Sequence, residues 1–230
     1  MKTFTIIWDF DGTLLPNDPY DSEQSLLMYK LYETEEKVPL FLHALTRLLI
    51  YADNRERLRK TFKRYYTWFL KGTSIIELDR VSERLATKIP EADRHAIIRL
   101  KTQGHIMMVL SCGTADLSER VLKFAGLSDC FSLIEGNRFQ FAEDRIVGMQ
   151  LQLPDPDDKL KRVKLLKLSP ERTIIVGDGY TDLPLFKWSS IPVIMDRTGR
   201  RKKRFTSNNF QFITSIPEIM NIIEETVTQR

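Results

Sequence analysis

The chain has 230 residues, 42% of them hydrophobic and 29% charged, a balance that suits one α/β core with a small accessory domain and excludes long disorder. Two cysteines, Cys112 and Cys130, are too few for a disulfide framework, and the N-terminus lacks the pattern of a secretory leader, so a reducing cytoplasmic setting is expected. The net charge of +4 gathers in two basic clusters that favour anionic partners, and no apolar run approaches the ~20 residues of a membrane span.

In chain order, Thr3 to Trp8 is a short β-branched and aromatic run that stops at DFDGT, as a buried strand would. Helical spacing of apolar residues then extends from Ser22 to about Leu49, with Pro39 as an interruption, and again from Arg55 to Leu70, with Leu58, Phe62, Tyr65 and Phe69 on one face and Gly72 as its end. A third helix is expected from Ser74 to Lys88. No strand is expected between residues 16 and 89, and this block is read as a helical cap inserted after the first strand.

From residue 90 the pattern alternates. A helix over Glu91 to Thr102 precedes a strand, His105 to Leu110, that leads to Ser111; a helix over Asp116 to Phe124 precedes a short strand, Phe131 to Ile134. Arg138 to Phe141 and Ile146 to Leu153 predict a hairpin around Glu143 and Asp144. A helix over Lys159 to Lys167, a strand over Thr173 to Val176, the sequence GDGYTD, a further helix, a strand over Pro192 to Met195, a basic loop and a last helix near Pro217 to Thr226 complete the chain. The fold class is therefore α/β, a Rossmann-like parallel sheet with helices on both faces, with the core in residues 1–15 and 90–230 and the cap in 16–89.

Three polar sequences follow expected strands: DFDGT, Ser111 and GDGYTD. Asp9 and Asp11 start on the same side of an extended segment and can converge on one ligand, Gly12 permits close backbone approach, and Thr13 offers a hydroxyl. An isolated Asp-x-Asp is most often a turn or cap. The ordered set with Asp178 and Asp182 is different, because four carboxylates at adjacent strand ends repel one another unless a cation sits among them. With no histidine or cysteine cluster, the oxygen donors point to Mg²⁺.

These residues resemble the haloacid dehalogenase superfamily, and within it the phosphoserine-phosphatase-like branch. DFDGTL at Asp9 to Leu14 is similar to the first motif of that family, Ser111 to the second, a lysine near Lys159 to the third, and GDGYTD at Gly177 to Asp182 to the fourth. The resemblance implies a phosphohydrolase in which Asp9 is the nucleophile that becomes an aspartyl-phosphate, and Asp11 the acid and base. It implies Mg²⁺ held by the carboxylates of Asp9 and Asp178 and the backbone carbonyl of Asp11, with Asp182 orienting a bound water or the lysine. Ser111, with a backbone N–H of Cys112 or Gly113, would hold phosphoryl oxygens. Lys159 fits the third motif best, with Lys161 and Lys164 as competitors.

The implied substrate is a small phosphorylated metabolite. Where phosphoserine phosphatases carry a glutamate that meets the substrate's amino group, this chain has Asp18, which leaves phosphoserine open. Transfer to a sugar, as in related mutases, is a further alternative. The presence of Asp11 argues against dehalogenation, since a halide leaves without a proton. The run Arg200, Arg201, Lys202, Lys203 and Arg204 is read as a solvated loop; a nucleic-acid contact is the non-enzymatic alternative. Tyr65, Tyr66, Trp68 and Phe69 are read as helical core, Cys112 as packing, and His43, His95 and His105 as scattered residues without a catalytic constellation.

Overall fold

A computed structural model describes residues 3–35, 37–53, 59–199, 201–202, 205 and 210–228. Among the described residues, seven strands form one sheet in the order β4-β3-β2-β1-β5-β6-β7. They are β1 (Thr5–Trp8), β2 (Ile106–Thr114), β3 (Phe131–Ala142), β4 (Arg145–Gln150), β5 (Thr173–Gly177), β6 (Ile191–Met195) and β7 (Gln211–Ile213). All neighbours pair in parallel except β3 and β4, which form the expected hairpin. The helices are α1 (Ser22–Tyr32), α2 (Leu40–Asp53), α3 (Arg59–Phe69), α4 (Ile75–Ala86), α5 (Glu91–Thr102), α6 (Ala115–Phe124), α7 (Pro156–Leu165), α8 (Leu183–Trp188) and α9 (Ile219–Thr228). None of the described helices is long and apolar enough to cross a membrane.

The central strand β1 is buried on both faces, which is why its sequence is continuously apolar. Successive side chains alternate between two apolar clusters: Ile6 and Trp8 join the one that contains α1, α5, α6 and α9, while Ile7 joins Val163 of α7 and Leu185 and Phe186 of α8. The helices α1 to α4 share the first cluster through Leu26, Leu27, Phe62, Tyr66 and Leu78. They are also stitched to the hairpin: Gly72 N donates to Ile146 O at 2.8 Å, and Ile146 N donates to Thr73 O at 2.9 Å.

Three departures from the sequence reading matter. First, Phe131–Ile134 and Arg138–Phe141 are one strand, because Gly136 lets β3 pass β2 closely: a Cβ there would lie 2.9 Å from Gly113 O. Second, β2 does not end at Leu110 but continues to Thr114 through an irregularity, in which the pairs Leu110–Glu135 and Thr114–Asn137 bracket three residues of one strand against one of the other. Asn137 fixes this bulge by donating from Nδ2 to Cys112 O at 2.8 Å. Third, Tyr65, Tyr66 and Phe69 are buried, but Trp68 is 55% exposed, one helical step off the buried face. The short edge strand β7 was not anticipated. Arg55 and Leu58, placed in the helix before Leu70, lie outside the described residues, as do Arg200, Lys203 and Arg204.

Candidate active site

The register of the parallel strands places the polar sequences together. Trp8 pairs with Val109 on one side and Val176 on the other, so Asp9, Ser111 and Asp178 leave the same sheet edge at nearly the same height. The ladder continues one step further, with Asp9 N donating to Val176 O at 2.8 Å. The loop after β1 then folds tightly, with Leu15 N donating to Phe10 O at 2.9 Å and Gly12 in the left-handed region at φ 79°. Glycine is required twice over at this position, since a Cβ there would lie 2.2 Å from Asp178 Oδ2.

Carboxylate oxygens of Asp9, Asp178 and Asp182 lie within 4.8 Å of one another. Lys159 is fully buried among them, its Nζ 2.8 Å from Asp9 Oδ1 and 2.7 Å from Asp182 Oδ1. Burial disfavours its ammonium, yet Asp182 and Asp9 outweigh that penalty and hold its pKa above the ordinary lysine value. Of the competing lysines, Lys161 is exposed and pairs with Asp158, and Lys164 is exposed on the far side of α7.

The acids divide by environment. Asp178 is pushed up to about 7 by burial, against the pull of Arg201, whose Nη2 stands 2.6 Å from Asp178 Oδ2. Burial and the neighbouring Asp9 raise Asp182 to about 6, in spite of Lys159, and its Oδ2 is buried with no hydrogen-bond partner among the described residues. An all-oxygen donor set, short of positive charge and already drawing a guanidinium to Asp178, fits a hard divalent cation. Asp9 and Asp178 could hold it, while Asp182 is committed to Lys159 through its other oxygen.

Asp11 stands outside that cluster of carboxylates. Its Oδ1 accepts from Ser22 N and its Oδ2 from Ser22 Oγ, both at 2.8 Å, at the first turn of α1. Burial raises its pKa to about 7; the two bonds from Ser22 oppose the rise, and Asp9 and Glu23 add to it. A carboxyl poised near neutrality can both give and take a proton.

Ser111 is buried in the β2 bulge, its Oγ accepting from Gly113 N at 3.0 Å, and with Cys112 and Gly113 it lines a polar cavity of about 180 Å³ together with Asp9, Asp11 and Asp178. Gly12, Lys159 and Asp182 are buried next to its lining acids without lining it themselves, and Thr13 and Asp18 do not line it either. Thr13 is fully buried behind the loop, where its carbonyl accepts from Arg197 Nη2 at 2.8 Å. Asp18 is exposed in the loop before α1 and does not line the cavity, although Asn17 and Asp21 on either side of it do.

In their place stand residues that the sequence reading missed: Asn17, Asp21, Glu23, Asp53, Lys63, Thr181 and Arg201. Glu23 accepts from Thr114 Oγ1 at 2.6 Å and is paired with Lys63 of α3, a contact between distant segments that leaves no local signature. Asp21 also caps α1, accepting from Gln24 N at 2.7 Å, and a cap preceding an apolar run is legible in sequence. Arg201 was hidden within a run read as a solvated loop. Of that run, Arg201 is at the site, and Lys202 N donates to Asp196 Oδ2 at 2.9 Å.

Known proteins resemble this chain to differing extents. A curated protein from Caldanaerobacter subterraneus subsp. tengcongensis named "Putative pyrophosphatase PpaX" is 28% identical over 211 residues, covering 84% of this chain and 85% of the relative. A phosphoglycolate phosphatase from Aquifex aeolicus is 25% identical over 186 residues, 77% of each chain. A solved phosphoserine phosphatase, described as its phospho-aspartyl intermediate analogue, superposes with a TM-score of 0.70 over 96% of this chain and 99% of the other, at 19% identity, which speaks for the fold. Residues 6–187 match the haloacid dehalogenase-like hydrolase family, and this chain belongs to that family.

Proposed function

We propose that the protein is a Mg²⁺-dependent phosphatase that hydrolyses a small phosphomonoester through an aspartyl-phosphate on Asp9. The observation that carries this reading is the buried Lys159, which joins Asp9 to Asp182 beside Asp178 at aligned strand ends. Lys159 fixes the Asp9 carboxylate and offsets its charge, so that an Asp9 oxygen can approach a phosphoryl group. As the oxygen–phosphorus bond forms, the bond to the leaving oxygen breaks and Asp11 supplies the proton that turns the leaving alkoxide into an alcohol. In the second half Asp11 takes a proton from water, whose oxygen bonds to phosphorus while the Asp9–phosphorus bond breaks, releasing inorganic phosphate and restoring the Asp9 carboxylate and the protonated Asp11.

Ser111 Oγ and the N–H groups of the β2 bulge are the phosphoryl donors in this reading. Mg²⁺, held by Asp9, Asp178 and the Asp11 carbonyl, would neutralise the anionic cavity toward a dianionic phosphate. Residues 16–89 act as the cap over a core of residues 1–15 and 90–230, since Glu23, Asp53 and Lys63, on α1, α2 and α3, line the same cavity as Asp9. Asp18 stands away from that cavity, but Asp21, Glu23 and Asp53 line it and can meet an amino group, so phosphoserine stays open as a substrate.

The test is a panel of phosphorylated metabolites with Mg²⁺, run with wild type and Asp9→Asn. Phosphate should be released from at least one monoester and lost in the variant and in chelator. Equal turnover by Asp9→Asn would overturn the nucleophile.

A further inference from the structure

Beside the reactive cavity lies a second, larger one of about 560 Å³, open between α3 and the segment that follows β4. Its size falls within the range that holds a drug-sized ligand. Its floor is apolar: Met149, Leu151 and Pro154 on one side, and the ring of Trp68, 55% exposed, on the other. Its rim is cationic. Lys60 and Arg64, one turn apart on α3, and Lys71, just past its end, are exposed residues of the lining. The acid on its lining, Asp155, precedes α7, and its N–H is turned to Asp158 Oδ2 at 3.3 Å. An apolar floor under a positive rim selects an anion with a flat apolar body, which stacks on Trp68 and pairs with the rim.

Lys63 lines both cavities. Its ammonium pairs with Glu23, which lines the reactive cavity, so this one side chain is common to the walls of the two spaces. We propose that the groove is the subsite for the alcohol part of the substrate, and that the preferred monoester carries an aromatic or similarly flat body with a second negative charge. This rests on the phosphatase reading for the identity of the neighbouring cavity. The residues of the groove itself have no part in the chemistry at Asp9.

The probe is 8-anilinonaphthalene-1-sulfonate, a flat apolar anion, titrated by fluorescence into the full chain carrying Asp9→Asn so that no ester is turned over. Reversing the rim with Lys60→Glu, Arg64→Glu and Lys71→Glu should weaken dye binding by at least about tenfold, and Trp68→Ala should weaken it as well. In the Asp9→Asn protein, 3-carboxyphenyl phosphate should displace the dye, whereas inorganic phosphate at the same concentration should leave it bound. Dye affinity unchanged by the rim reversal, equal displacement by inorganic phosphate, or no displacement by the ester would each overturn the proposal. Because binding is read without turnover, a groove that fails these tests leaves the hydrolase reading standing, and an enzyme that releases no phosphate leaves the groove result intact.

Discussion

Lys159 Nζ lies between Asp9 Oδ1 and Asp182 Oδ1, at 2.8 and 2.7 Å, with all three side chains buried. Removing the cation strands two acids in a low-dielectric site, where breaking a buried pair costs about 3–5 kcal/mol. Lys159→Met should therefore lose stability on that scale in urea denaturation, as well as activity. Adding Asp182→Asn should recover at least about 1 kcal/mol, since one stranded charge is then removed. Strictly additive losses would mean that the two residues are not energetically joined.

Arg201 holds the carboxylate that a metal would need. Its Nη2 is 2.6 Å from Asp178 Oδ2, so a divalent cation bound at that oxygen would compete with the guanidinium. Arg201→Ala should tighten Mg²⁺ binding in calorimetry by about tenfold, equivalent to roughly 1.4 kcal/mol. The same variant should melt lower in chelator and gain more from saturating Mg²⁺ than wild type does. An unchanged Mg²⁺ affinity would show that the guanidinium yields at no cost.

Two glycines with positive φ separate backbone strain from steric conflict. Gly72, at φ 82°, has nothing within 4 Å of its missing Cβ, so Gly72→Ala should cost only the left-handed penalty of about 1–2 kcal/mol. Gly12→Ala carries the same backbone penalty and also drives a methyl into Asp178. It should lose Mg²⁺-dependent phosphate release almost completely, while Gly72→Ala keeps it. Comparable activity in the two variants would refute the steric argument.

His105 offers a pH test away from the site. Its Nδ1 accepts from Phe4 N at 3.1 Å, which needs that nitrogen unprotonated, and burial lowers its pKa below the ordinary 6.5. With the folded value below the unfolded one, the unfolded chain binds the proton first. The stabilisation is thus complete above about pH 6.5 and is lost as pH falls through the folded value. His105→Phe strands the Phe4 N–H and should cost about 1–3 kcal/mol at pH 8 by chemical denaturation. At pH 5 the gap from wild type should shrink, and a gap that stays constant would contradict the linkage.

Much of the site was legible because it is local. The Asp9, Asp11 and Gly12 spacing, the strand before it, and the carboxylates of GDGYTD each express a rule that acts over a few residues, namely alternation along a strand and the freedom of glycine in a turn. The alternation of helix and strand after residue 90 likewise announced a parallel sheet with its polar loops at one edge. The β2 bulge was not legible, because it depends on Gly136 and Asn137 in a different strand.

Sequence by itself therefore determined the fold class, the family resemblance and the acids at the strand ends, since those follow from short-range patterns and strand polarity. Tertiary structure decided which lysine of three equally helical candidates is buried against Asp9, that Glu23 and Lys63 rather than Asp18 face the cavity, and that Arg201 leaves its basic run to meet Asp178. Those contacts join segments tens of residues or more apart, and their energy comes from desolvated charges meeting, a condition that exists only once the chain has closed around them.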